Sequence, residues 1–191
     1  MRNRTSGVQL NLKTREAADG KHIEGYFAVF NSETELFKGW KEQVLPGAFA
    51  SSIANNDIRA LFNHDTGFVL GRMSSNTLTV REDEHGLYGD ILVNENDPQA
   101  LSVYARVQRR DISGCSFGFG DSVEDYREDA DGTVHSTIRS ADTFEISVCT
   151  FPAYPQTEIQ ARNTEYAEHK KNSFAARKRE LQERMKKNVT D

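Results

Sequence analysis

Apolar and polar residues alternate in short runs along most of this chain, with the two-residue period of half-buried strands. Val8-Gln9-Leu10-Asn11-Leu12-Lys13 is the first such run. A polar turn over Glu16 to Lys21 separates it from Ile23-Glu24-Gly25-Tyr26-Phe27-Ala28-Val29-Phe30, and the pair predicts an opening hairpin. Glu35 to Val44 is mixed, with Leu36, Phe37 and Trp40 as core candidates. Pro46-Gly47-Ala48-Phe49 opens a short helix running to about Asn55. Strands follow over Ile58 to His64, Val69 to Arg72, Leu78 to Arg81 and Gly86 to Val93, split by turns at Ser74-Ser75-Asn76 and Asp83-Glu84-His85-Gly86. Asp97-Pro98 then reads as the N-cap and first position of a helix. Its Ala100, Leu101, Tyr104 and Val107 share the face that would lie on a sheet, and it ends near Arg109-Arg110-Asp111.

Directly after that helix comes Ser113-Gly114-Cys115-Ser116-Phe117-Gly118-Phe119-Gly120. On an extended chain Cys115, Phe117 and Phe119 share one face, while Ser116, Gly118 and Gly120 share the other. The aromatic face is fit for burial. The opposite face is nearly bare, so Ser116 stands where another backbone can approach. A bulge or a tight barrel corner is the commoner use of such glycines. Tyr126 to His135 holds a turn at Asp129-Ala130-Asp131-Gly132, and Phe144-Glu145-Ile146-Ser147-Val148-Cys149 is the last clear strand. It directs Phe144, Ile146 and Val148 to a core and Glu145, Ser147 and Cys149 to the other side. Pro152 and Pro155 stop it.

So many short strands suit a barrel or a sandwich, with helices around it: a mainly β chain of the α+β kind. The composition shifts after Arg162. Asn163 to Asp191 is rich in Lys, Arg, Glu and Gln and is net basic, with Tyr166, Phe174, Leu181 and Met185 as a thin apolar stripe. The expected organisation is therefore one domain over 1–162 and a charged, helical or mobile tail over 163–191.

Charge and composition narrow the functions. A net charge of -5 argues against nucleic acid as the main partner. No apolar run has the length of a membrane span, and Met1-Arg2-Asn3-Arg4 lacks a hydrophobic signal core. Cys115 and Cys149 lie in apolar runs, as reduced core thiols of an intracellular protein would. No Cys/His set has metal-ligand spacing, so neither a metal nor another cofactor is expected.

Ser116, His64 and Glu145 are the residue types of a nucleophilic site. A serine hydroxyl needs an imidazole to take its proton, and the imidazole needs a third group to fix its tautomer. His64 stands at a strand end between Asn63 and Asp65, and Glu145 interrupts an apolar strand. Asp142 is the runner-up for the third role, whereas Asp65, adjacent to His64, should point away from it. Cys115 is an alternative nucleophile, but parity turns it to the core, where thiols stay protonated. His22, His85, His135 and His169 have weaker settings. Spacing alone does not show that the three residues converge.

The chain also resembles a known family, the prohead (capsid maturation) proteases of HK97-type tailed bacteriophages. The matching segments are Glu24 to Phe30, Val44-Leu45-Pro46-Gly47-Ala48-Phe49, Leu61-Phe62-Asn63-His64-Asp65, Val69-Leu70-Gly71-Arg72, Gly86-Leu87-Tyr88, Asp111 to Phe119 and Glu145 to Pro155. They stand in the family's order and cover most of Val8 to Arg162.

The resemblance implies a mostly antiparallel β-barrel of the herpesvirus assembly protease type and a serine endopeptidase. Ser116 would be the nucleophile, His64 the general base and Glu145 the orienting acid. Such a reaction also needs oxyanion donors: in the loop after Glu145, where Pro152 and Pro155 have no N–H, Ala153 and Tyr154 are the expected ones, and Arg109 and Arg110 are either assisting charges or, more commonly, an exposed helix-end pair. The implied substrates are the capsid protein's scaffolding segment and the protease itself, cut inside the immature prohead in the host cytoplasm; a homo-oligomer is compatible. The rival readings are a non-enzymatic assembly or scaffolding module with a structural Ser116, and a thiol hydrolase using Cys115.

Overall fold

The computed structural model describes residues 2–4 and 12–151, with isolated helical positions at 171, 175 and 179. The chain divides into two compact units, Met1–Ala153 and Tyr154–Asp191, and the elements described here belong to the first. The boundary expected after Arg162 and most of the strand expected at Val8 to Lys13 lie outside the described residues.

In chain order the elements are β1 (Arg2–Arg4), β2 (Lys13–Ala17), β3 (Gly20–Val29), β4 (Thr34–Phe37), β5 (Trp40–Val44), α1 (Ala50–Asn55), β6 (Arg59–Phe62) and β7 (Asp65–Arg72). A 3-10 turn at Met73–Ser75 leads to β8 (Leu78–Glu82), β9 (Gly86–Leu92), α2 (Pro98–Gln108), β10 (Gly114–Glu128) and β11 (Val134–Cys149). The opening hairpin is present, but β2 runs to Ala17, where a polar turn was expected. Only Ala50–Asn55 of the first helix is helical, and the N–H of Phe49 ahead of it donates to Glu82 Oε1 at 2.8 Å. Asp97 caps α2 by accepting the Gln99 N–H at 2.9 Å. Val103 is buried on that helix while Leu101 is only partly so, which rotates its buried face from the one expected.

These strands make two open sheets, not the closed antiparallel barrel that the resemblance implied. The smaller sheet has the order β2-β3-β9-β8 and is antiparallel throughout. The larger runs β1-β10-β11-β5-β4, with β6 also on β11 and β7 on β6. The difference comes from β11. At 16 residues it is long enough to take two partners in succession, β5 along Val134 to Ile138 and β6 along Glu145 to Val148. Both run parallel to it, so the sheet is mixed.

The core lies between the sheets. Ile23, Phe27, Leu87 and Ile91 of the smaller sheet are fully buried, as are Phe119 and Ile146 of the larger. Burying one such side chain is worth about 1.5–3 kcal/mol. Gly89 of β9 sets how closely the sheets approach. A Cβ there would stand 2.6 Å from Ile146 Cδ1 and 2.7 Å from a Phe27 ring carbon. The β10–β11 pairing shifts register near Gly118, Phe119 and Val123, so the bulges foreseen for these glycines exist.

Two predictions follow from this frame. Gly89→Ala forces the sheets apart and should destabilise the protein by about 1–3 kcal/mol in urea unfolding, the usual range for overpacking. At the β8–β9 turn, Asp83 accepts the N–H groups of His85 (2.9 Å) and Gly86 (3.2 Å), the Tyr26 hydroxyl (2.8 Å) and Arg81 Nη1 (2.6 Å). Desolvation opposes ionisation, yet these donors hold the carboxyl down at about 2. A carboxyl lowered on folding stabilises above its unfolded value of about 3.9 and loses that contribution as the pH falls towards the folded one. The melting-temperature gap between the native chain and Asp83→Asn should be full above about pH 4 and close as the pH drops towards about 2.

Candidate active site

The site begins with a hairpin turn. Phe62 of β6 pairs with Asp65 of β7, which leaves Asn63 and His64 as its two central residues. Both have positive φ, 52° and 60°, the pattern of a type I′ turn. Asn takes this conformation readily, and His more readily than most side chains.

The turn is latched to the end of β11. Asn63 N–H donates to the Val148 carbonyl at 2.9 Å, and Asn63 Nδ2 donates to Thr150 Oγ1 at 3.2 Å. The Thr150 N–H donates back to Asn63 Oδ1 at 2.9 Å, and the His64 N–H donates to Ser147 Oγ at 3.2 Å. The imidazole is thereby carried over β11.

Strand parity on β11 supplies what the ring meets. Glu145, Ser147 and Cys149 share the face opposite the buried Ile146 and Val148, and all three are buried. His64 Nδ1 lies 2.7 Å from Glu145 Oε1, and the other carboxylate oxygen accepts the Ser147 hydroxyl at 2.6 Å. A carboxylate only accepts, so Nδ1 carries a proton, and in the neutral ring the lone pair is on Nε2. Cys149 Sγ lies 3.7 Å from Nε2.

Ser116 stands on the neighbouring strand. It pairs with Ser147 in the β10–β11 register, flanked by Gly118 opposite Glu145 and Gly114 opposite Cys149. Paired residues of an antiparallel ladder point to the same face, so Ser116 shares the face over which the His64 ring lies. It is fully buried.

The other candidates stand elsewhere. Asp142 is exposed and accepts Asn56 Nδ2 at 2.8 Å. Asp65 accepts the Gly67 N–H at 2.8 Å, inside its own hairpin. Arg109 pairs with Asp111 at 3.4 Å, and Arg110, at φ 68°, closes α2; both are exposed. Cys115 pairs with Val148 on the core side, and burial pushes its thiol well up. A thiol buried on the core side is disfavoured from ionising, which counts against the Cys115 reading. Ala153 and Tyr154 lie outside the described residues. Among the described residues no group of three or more His, Cys, Asp or Glu could hold a metal ion, and no helix is long and apolar enough to cross a membrane.

Three participants escape a reading of the sequence. Ser147 bridges the His64 backbone N–H and the Glu145 carboxylate, Cys149 meets the imidazole, and Asn63 anchors the turn. The alternation Glu145-x-Ser147-x-Cys149 put the first two on the correct face, but nothing local showed what crosses above it.

Comparison with known proteins agrees with the family resemblance. The family model described as caudovirus prohead serine protease matches residues 8–172. The prohead protease of Enterobacteria phage HK97 is 35% identical over 148 residues, 75% of this chain and 61% of that protein. The chain thus spans about three-fifths of that relative's length. No solved structure matches. On the extent of the family match, this chain belongs to the caudovirus prohead serine protease family.

Proposed function

We propose that the protein is a serine endopeptidase of phage capsid maturation, with Ser116 as nucleophile, His64 as general base and Glu145 as the acid that orients it. The observation that carries this reading is the 2.7 Å contact between His64 Nδ1 and Glu145, on the face that Ser116 shares. It leaves Nε2 as the basic nitrogen, as a serine-activating imidazole requires.

In the reaction Ser116 Oγ bonds to the carbonyl carbon of a peptide while its proton passes to Nε2. Glu145 stabilises the imidazolium. The C–N bond then breaks, Nε2 returns the proton to the departing amine, and water hydrolyses the acyl-enzyme with the same base. The developing oxyanion needs fixed donors, often the largest contribution to rate. The backbone N–H groups of Ala153 and Tyr154 are assigned to it, because Pro152 and Pro155 beside them have none.

The substrates are, on this reading, the scaffolding segment of the phage's capsid protein and the chain itself, cut inside the immature prohead within the host cell. The net-basic stretch after Asn163 serves as a handle for incorporation into the assembling shell.

Cys149 gives a second reading its only footing, since it is Sγ that lies 3.7 Å from Nε2. Two variants separate the readings when each is co-expressed with the capsid protein and the products are weighed intact. Ser116→Ala should lower cleavage by more than about a thousandfold, while Cys149→Ala should stay within about tenfold of the native chain. The reverse result would make the enzyme a thiol peptidase. Unchanged processing in Ser116→Ala and Cys149→Ala alike would leave an assembly module without this activity. Glu145→Gln should keep the fold and lose on the order of 10⁴-fold in kcat, because the amide can turn its own N–H to the ring and present the wrong tautomer.

A further inference from the structure

Ser147 is fully buried, lies directly across the ladder from Ser116, and has no part in the chemistry proposed above. Its hydroxyl donates to Glu145 Oε2 at 2.6 Å and accepts the His64 backbone N–H at 3.2 Å. A serine hydroxyl has one proton. With that proton on Glu145, Ser147 has no proton to give Ser116 or a substrate.

We infer that Ser147 is a positioning residue for the reaction, one hydroxyl that fixes both the carboxylate and the imidazole with respect to Ser116. The inference rests on the peptidase reading. Glu145 is buried to 1% exposure, and its carboxylate has two oxygens to satisfy. His64 takes one, and Ser147 holds the other, which stops rotation about the last side-chain bond. The same oxygen atom of Ser147 grips the backbone of His64 in the middle of a turn with two positive φ angles. Remove the hydroxyl, and the acid gains a rotation while the base loses a tether. Both changes displace Nε2 from the serine and leave Ser116 and its strand as they are.

The effect should therefore fall on turnover and spare binding. In Ser147→Ala, kcat should drop roughly tenfold to a hundredfold with KM within about twofold, since a misplacement of about 1 Å costs on that order. The downfield proton resonance of the His64 ring, which reports the Nδ1–H to Glu145 bond without any turnover, should broaden or vanish. Ser147→Thr keeps the oxygen, and its added methyl group stands diagonal to Gly114 and Gly118, which have no side chains. It should restore the resonance and bring kcat to within about threefold of native.

The outcomes divide cleanly. Native kcat and an unaltered ring resonance in Ser147→Ala, with Ser116→Ala inactive, would overturn this inference and leave the peptidase reading standing. Equal impairment of Ala and Thr, with raised KM and lowered melting temperature, would make Ser147 a packing residue only and overturn it too. Cleavage surviving in Ser116→Ala would instead overturn the peptidase reading on which the inference rests.

Discussion

The tethering of one short turn to the end of β11 is the interaction on which the site depends. Two consecutive non-glycine residues with positive φ are unfavourable by roughly 1–2 kcal/mol each. The four hydrogen bonds that run between Asn63 or His64 and Ser147, Val148 and Thr150 are worth about 0.5–1.5 kcal/mol each, enough to offset that strain. The turn is thus held in place by the strand that carries the acid. Parallel pairing of β6 with Glu145 to Val148 brings it there, because it ends β6 beside the last residues of β11. A histidine on a free loop would have to find Glu145 afresh. Here the backbone has already done so.

The β10–β11 ribbon gives the site its rigidity. Its two faces do different work. Phe117, Phe119, Ile146 and Val148 point into the core, where Gly89 lets the smaller sheet press against Ile146. Ser116, Glu145, Ser147 and Cys149 occupy the other face, and each is buried too. The separation of Ser116 from Glu145 is therefore set by ladder register and core packing, both stiff, and not by a loop. Closely packed cores resist displacement, which fixes where Ser116 stands relative to Glu145.

What could be read from the sequence was what is local. Parity on the serine strand separated Cys115, Phe117 and Phe119 from Ser116, and the Asp97-Pro98 start of α2 announced itself through capping chemistry. The turn at Asn63-His64 did not, because an apolar strand leading into polar residues looks the same whether the chain goes straight on or reverses. Two positive φ values at an Asn-His pair leave no trace in hydrophobic periodicity. The reach of β11 was hidden for another reason. Its first half, Val134 to Asp142, is rich in Ser, Thr and charged residues, and it is a strand because β5 and β10 pair with it. Non-local pairing overrides weak local preference. The open, mixed sheets follow from the same pairings. The ordered motifs did identify the family, since each segment is held by its neighbours in space even where the sequence alone does not show which neighbours those are.

Histidine environment decides which imidazole can act as a base. His22 is bracketed by Asp90 at 2.7 Å and Asp19 at 3.1 Å, and His135 by Glu33 at 2.5 Å and Asp129 at 2.8 Å. A ring whose two nitrogens both face carboxylates has both nitrogens engaged, so neither is open to a further partner. These two rings tie loops to strands. Among the described residues His64 has a carboxylate on Nδ1 alone, and Nε2 meets a thiol at 3.7 Å, a weak hydrogen-bond partner. One acid on one side leaves the other nitrogen open to a further partner. The chain places its acids so that, of these three rings, only His64 meets that condition, above the face that carries Ser116.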